Sequence, residues 1–127
     1  MTNRTLHTGA IIFTWLFSLG IVQAHENRQI EGHIRNISAE YGNLNTSFTQ
    51  ADLDALEITL AGHFLIKVDQ QQVLITLGEQ YQDVAKGQWV GFIDWEGFLR
   101  VAIHYGNAAD KLGAKPLSSL QLSRPTH

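Results

Sequence analysis

The stretch GHFLIKVDQQQVLITL, Gly62 to Leu77, holds two apolar-rich runs around a short polar break. Gly62–Val68 and Gln72–Leu77 are each of strand length and rich in β-branched and aliphatic residues. Asp69-Gln70-Gln71 between them has the composition of a tight turn, so the pair reads as a β-hairpin. Downstream, Gln88–Trp95 (QWVGFIDW) and Phe98–His104 (FLRVAIH) repeat the arrangement, with Glu96-Gly97 as the turn. Gly91 inside the first of these marks a bulge or a close backbone approach. Upstream, Arg28–Ser38 carries Ile30, Ile34 and Ile37 among polar residues and reads as a strand, with a bulge expected near Gly32. Leu44–Phe48 alternates again after a sharp corner at Glu40–Asn43.

Two short helices interrupt the strands. Thr49-Gln50-Ala51-Asp52 resembles a capping box, and Leu53 and Leu56 follow at helical spacing, which predicts a helix over Gln50–Leu56. Asn107–Leu112 has Asn107 as its cap and Gly113 as its terminator. Leu117–Leu122 reads as a last strand. Six or seven short strands separated by Gly-rich turns predict an all-β domain, a small antiparallel, Greek-key-like β-barrel with one or two short helices.

The chain of 127 residues suits one such domain preceded by a leader. Met1–Thr8 is polar and carries Arg4. Ala10–Val22 (AIIFTWLFSLGIV) is apolar, and Val22-Gln23-Ala24 places small residues where a signal peptidase reads. Residues 1–24 are therefore expected to be a signal peptide cleaved after Ala24, leaving 25–127 as a periplasmic or secreted β-barrel domain. The apolar run is short for a stable membrane span, which needs about 20 residues; an uncleaved anchor is the competing reading. The formal charge is −3 with no basic run, which excludes a nucleic-acid partner. There is no cysteine, so no disulfide supports the core.

Several residue sets bear on chemistry. A new N-terminus at His25 would offer an amine and an imidazole to copper, with His33, His63 or His104 as further ligands, but no close His pair supports this. Asp94 and Glu96 flank Trp95 and read as solvated charges at a strand end rather than an acid–base pair. Trp89, Val90, Phe92 and Ile93 read as core.

Four pieces in order carry a resemblance to a family: the YGNLNT corner from Tyr41, the YQDVAKGQ loop from Tyr81, the EGFLRVAI strand from Glu96 and the GNAADKLGA turn from Gly106. Together they resemble the C-terminal domain of the S-adenosylmethionine hydrolase and halogenase family, which includes the hydroxide adenosyltransferases, the chlorinase and the fluorinase. The resemblance covers about Ile30 to Leu122. It implies a small β-barrel that helps to hold S-adenosylmethionine or adenosine, in trimers where the ligand lies between subunits and the catalytic residues sit in a separate N-terminal domain. By that resemblance Tyr41 and Asn43 match an aromatic and an amide beside adenine, Tyr81 a second aromatic at the base, and Asn107 and Ala108 the turn that reads the adenine edge. Stacking suits a purine, which also needs a few fixed donors and acceptors. The pattern departs where the methionine end would bind: Ser38 or Ala39 stands where the halogenases have an acid, and Trp95-Glu96 replaces a Ser-containing pair, with Trp95 expected to fill the space of the amino-acid tail.

These features predict an exported, non-catalytic binding domain for a nucleoside-type ligand or a protein partner. The alternatives are an accessory subunit of a split S-adenosylmethionine hydrolase and a homo-oligomeric structural module of the envelope. The same adenine-side residues also serve as fold-makers: Gly42 and Asn43 suit a turn, and Tyr41 and Tyr81 can close a barrel end.

Overall fold

The structure, a computed structural model, describes residues 28–126. The signal peptide expected over residues 1–24 and His25 lie outside the described residues. Seven strands form a closed barrel: β1 (Gln29–Ile37), β2 (Leu44–Thr49), β3 (His63–Val68), β4 (Gln71–Leu77), β5 (Trp89–Ile93), β6 (Phe98–Ile103) and β7 (Ser119–Ser123). Around the barrel the order is β1-β2-β6-β5-β4-β3-β7, and β7 returns to β1. Helix α1 (Gln50–Ala55) follows β2, a single 3-10 turn spans Tyr81–Asp83, and α2 (Ala108–Leu112) follows β6.

The hairpin read from Gly62–Leu77 forms with Val68 opposite Gln71, so the turn is the dipeptide Asp69-Gln70. Asp69 adopts φ 53°, a left-handed conformation that aspartate tolerates better than most residues. Alternation along β3 puts Phe64, Ile66 and Val68 in the interior, where they meet Ile34, Leu44, Phe48, Leu99, Leu120 and Leu122. This is one continuous core of aliphatic residues and two phenylalanines.

One pair departs from the antiparallel expectation: β4 and β5 run parallel, with Thr76 opposite Val90 and Leu77 opposite Gly91. A parallel pair needs a crossover, and the segment Gly78–Gln88 supplies it. That segment lies over the outside of the barrel, where Tyr81 and Val84 pack on a second cluster of Val90, Phe92 and Ala102. β5 is thus covered on both faces, which explains its unbroken apolar run.

Gly91 belongs to the inner face. A Cβ there would lie 2.6 Å from Phe64 Cζ, so the glycine marks a close approach, and the β5–β6 register runs through it without a bulge. The bulge expected near Gly32 lies elsewhere. β1 pairs with β7 regularly through Gly32, and the register against β2 shifts between Ile34 and Asn36. Gly32 instead makes room for the ring of Phe48, 2.6 Å from where its Cβ would stand.

The helix termini follow their sequence signals. Asp52 reaches back to accept from the Thr49 amide at 2.9 Å. Asn107 caps α2 by accepting from the Asp110 amide at 2.9 Å, and Gly113 ends it at φ 62°. Among the described residues no helix is long and apolar enough to cross a membrane.

Candidate functional site

Three segments that are remote in sequence meet at one end of the barrel. The first is the corner between β1 and β2. Its chain reversal is closed by Gly42 N–H donating to Ser38 O at 2.9 Å and Ser38 N–H to Asn43 O at 3.0 Å. Ser38 Oγ also accepts from the Tyr41 amide at 3.2 Å, so this serine is a turn-former. Gly42 sits at φ +69°, and a Cβ on it would collide with the Asn107 carboxamide. Its carbonyl accepts from Ala109 N–H at 3.0 Å. Only glycine lets the corner lie this close against the start of α2.

The second segment is the crossover loop. Asp83 Oδ2 accepts from the Glu79 amide at 2.7 Å and the Gln80 amide at 3.3 Å, which shapes the 3-10 turn that presents Tyr81. These bonds, that to Glu79 first, hold the Asp83 carboxyl below the usual aspartate range. The Tyr81 ring meets Phe92 edge-on, with centroids 5.2 Å apart. Its hydroxyl accepts a 2.6 Å hydrogen bond from Asn43 Nδ2, which ties the crossover loop to the corner.

The third segment runs from the end of β6 into α2. His104 Nδ1 lies 2.8 Å from Val84 O, so Nδ1 carries a proton and donates to that carbonyl. Tyr105 adopts φ 59°, a strained value for so large a residue, and is 78% exposed. Lys86 Nζ stands 4.7 Å from the centroid of its ring.

Between these segments lies a cavity of about 590 Å³, within the size range of small-molecule sites. Glu40, Tyr41 and Asn43 line it from the corner, Tyr81 and Gln82 from the loop, and Ile103 through Asn107 from the third segment. All three tyrosines of the chain are in its wall. Tyr41 is 58% exposed, while Asn43 is buried. The neighbouring Glu40 carboxylate, first as a hydrogen-bond acceptor and then through its charge, raises the Tyr41 pKa above the ordinary phenol value.

Of the residues singled out from sequence, Tyr41, Asn43, Tyr81 and Asn107 line this single cavity. Ala108 does not: its side chain is buried in the main core behind Asn107. Sequence reasoning missed Glu40, His104 and Tyr105. The signal for Tyr105 was present, because the tripeptide Tyr-Gly-Asn occurs twice, at 41–43 and 105–107, and both copies border the cavity.

Two expectations are corrected. Trp95 fills no part of the cavity; it stands 89% exposed on the β5–β6 turn. Asp94 is not solvated, since its side chain is only 3% exposed. Oδ1 accepts from the amides of Glu96 at 2.9 Å and Phe98 at 3.1 Å, so Asp94 is the residue that builds the turn. Glu96 lies 3.7 Å from Arg35, whose guanidinium covers the Phe98 ring. Trp89 packs half-buried on the main core, as expected. Among the described residues no group of three or more His, Cys, Asp or Glu side chains is arranged to hold a metal ion.

Residues 32–121 match the family described as the SAM hydroxide adenosyltransferase C-terminal domain. The chain belongs to that family. An uncharacterised conserved protein from Thermotoga maritima shares the fold of this SAM hydroxide adenosyltransferase C-terminal domain with a TM-score of 0.73 at 21% identity, over 78% of this chain and 37% of the other. A conserved hypothetical protein from Thermus thermophilus aligns with a TM-score of 0.55 at 21% identity, over 76% of this chain and 36% of the other. At these identities the likeness is one of fold. The chain spans little more than a third of the length of these two structures. No curated protein matches the sequence.

Proposed function

We propose that the domain is an exported, non-catalytic binding module whose cavity takes a planar heterocycle of nucleoside type, adenosine or S-adenosylmethionine among the candidates. The observation that carries this reading is the convergence of Tyr41, Tyr81 and Tyr105 with Asn43 and Asn107 on one cavity of about 590 Å³. Aromatic faces give a base a stacking surface worth about 1–3 kcal/mol per base. Amides beside them supply fixed hydrogen-bonding groups for its edge. Membership in a family of C-terminal domains supports the non-catalytic part, because the resemblance puts the catalytic residues in a partner domain. Export rests on the three-part pattern of residues 1–24.

The test is thermal unfolding of the purified protein with adenosine, adenine and S-adenosylmethionine. Ligand at one hundred times its dissociation constant adds about 2.7 kcal/mol of stability. A midpoint that stays put with all three at millimolar concentration overturns the reading. Release of adenosine from S-adenosylmethionine above a blank would overturn its non-catalytic part.

A second reading is favoured by Trp95, whose 89% exposure beside Glu96 and Arg35 leaves a large aromatic at a hairpin tip. Exposed tryptophans are enriched at protein contacts. On this reading the domain is an accessory subunit that meets another chain. Co-purification that is abolished by Trp95→Ala, with unchanged melting, is the expected result.

A further inference from the structure

Building on the nucleoside-pocket reading, we infer that the cavity sorts its ligands by charge: it admits a neutral or cationic planar heterocycle and excludes a phosphorylated one, with Glu40 as the selecting residue. The first ground is the lining. Among the described residues Glu40 supplies the only carboxylate there, and no lysine or arginine side chain borders the cavity. Lys86 lies outside the lining, with its Nζ 4.7 Å from the Tyr105 ring centroid.

The second ground is backbone. A phosphate can be held without cations where free amides converge, as at the start of a helix. The first turn of α2 borders this cavity through Asn107, and three amides that follow it are already used. Ala109 N–H donates to Gly42 O at 3.0 Å, Asp110 N–H to Asn107 Oδ1 at 2.9 Å and Lys111 N–H to Asn107 O at 3.1 Å. The corner and the Asn107 cap thus occupy three of the amides that could otherwise turn toward an anion. Asp83 does the same at the crossover loop, taking the amides of Glu79 and Gln80.

What remains to meet a ligand is the imidazole of His104, a set of uncharged side chains and one carboxylate. Glu40 lines the cavity next to Tyr41. Across a cavity of about 590 Å³ little of a ligand lies beyond the ~8 Å screening length of physiological salt. A 5′-phosphate therefore feels Glu40 wherever it sits, while a neutral ribose does not.

The experiment compares adenosine with adenosine 5′-monophosphate by titration calorimetry on the whole protein, wild type and Glu40→Gln, at 20 and 150 mM salt. Adenosine is expected to bind about tenfold more tightly than the monophosphate, with a larger ratio at low salt. In Glu40→Gln the ratio falls at least threefold, and in Glu40→Lys it falls further or inverts. Melting of each unliganded variant within a few degrees of wild type establishes that it is folded. Equal affinity for the two ligands, or a ratio that Glu40→Gln leaves alone, overturns the charge selection while the pocket survives. Binding of neither ligand removes the pocket reading, and this inference falls with it.

Discussion

Replacing Tyr81 by phenylalanine removes one oxygen and tests whether the corner and the crossover loop are truly joined. The oxygen accepts a 2.6 Å hydrogen bond from Asn43 Nδ2, and Asn43 is 3% exposed. The ring stays, so the edge-on contact with Phe92 at 5.2 Å is kept. What changes is that a buried amide donor loses its partner. Such an orphaned group costs about 1–3 kcal/mol. The cavity lies beside it and admits some water, so the lower half of that range, about 1–2 kcal/mol, is expected. For a domain of this size that is a fall in melting temperature of about 4–8 °C for each kcal/mol.

The assay is thermal and urea unfolding of Tyr81→Phe, Asn43→Ala and the double variant. Because both single changes break the same bond, their costs should not add. The double variant should lie near the worse single one, giving a coupling energy of about 1 kcal/mol. If Tyr81→Phe unfolds within about 0.5 kcal/mol of wild type on that scale, or the two costs sum, the loop and corner are independent and the cavity lacks the brace described above.

Three further outcomes are expected. Gly42→Ala should destabilise by about 2 kcal/mol or more in urea unfolding, since the left-handed conformation alone costs alanine about 1–2 kcal/mol and the added Cβ meets the Asn107 carboxamide. Tyr105→Gly should change stability by no more than about 1 kcal/mol, because relief of the strained φ offsets glycine's greater unfolded-state entropy. The same change should weaken adenosine binding about tenfold or more through loss of one stacking face. Stability should also depend on Asp83 at low pH. Its folded pKa is depressed, so its contribution is complete above the unfolded aspartate value of about 3.9 and drains away as pH falls below it toward the folded value. Asp83→Asn should therefore flatten the pH–melting curve below about pH 4 relative to wild type.

Much of the barrel was legible because it obeys local rules. The β3–β4 hairpin follows from two strand-length apolar runs around a short polar break, which the structure narrows to Asp69-Gln70, and the ends of α2 follow from Asn107 and Gly113. The parallel pairing of β4 with β5 was not legible. It depends on the crossover Gly78–Gln88, whose only regular element is one 3-10 turn and which is held by Asp83 rather than by any periodic pattern. Asp94 was misread for a similar reason: an aspartate at a strand end looks solvated until the amides of Glu96 and Phe98 are seen to enclose it.

The site itself depends on register, a long-range property that spacing along the chain does not reveal. Leu44 pairs with Val101, so the corner just before Leu44 and the turn just after Ile103 leave the barrel at the same end. Trp89 pairs with Ile103, and Gly87 N–H donates to His104 O at 2.7 Å, which draws the crossover loop to that end as well. A shift of one residue between β2 and β6 would turn Leu44 outward and carry Asn43 inward. The core therefore opposes any slip, since Leu44 and Val101 are both fully buried. The two Tyr-Gly-Asn segments face one cavity because the hydrophobic pattern of β2 and β6 allows only one alignment. On that argument, a polar substitution at Leu44 should disturb ligand binding at least as much as a change to a residue in the cavity wall.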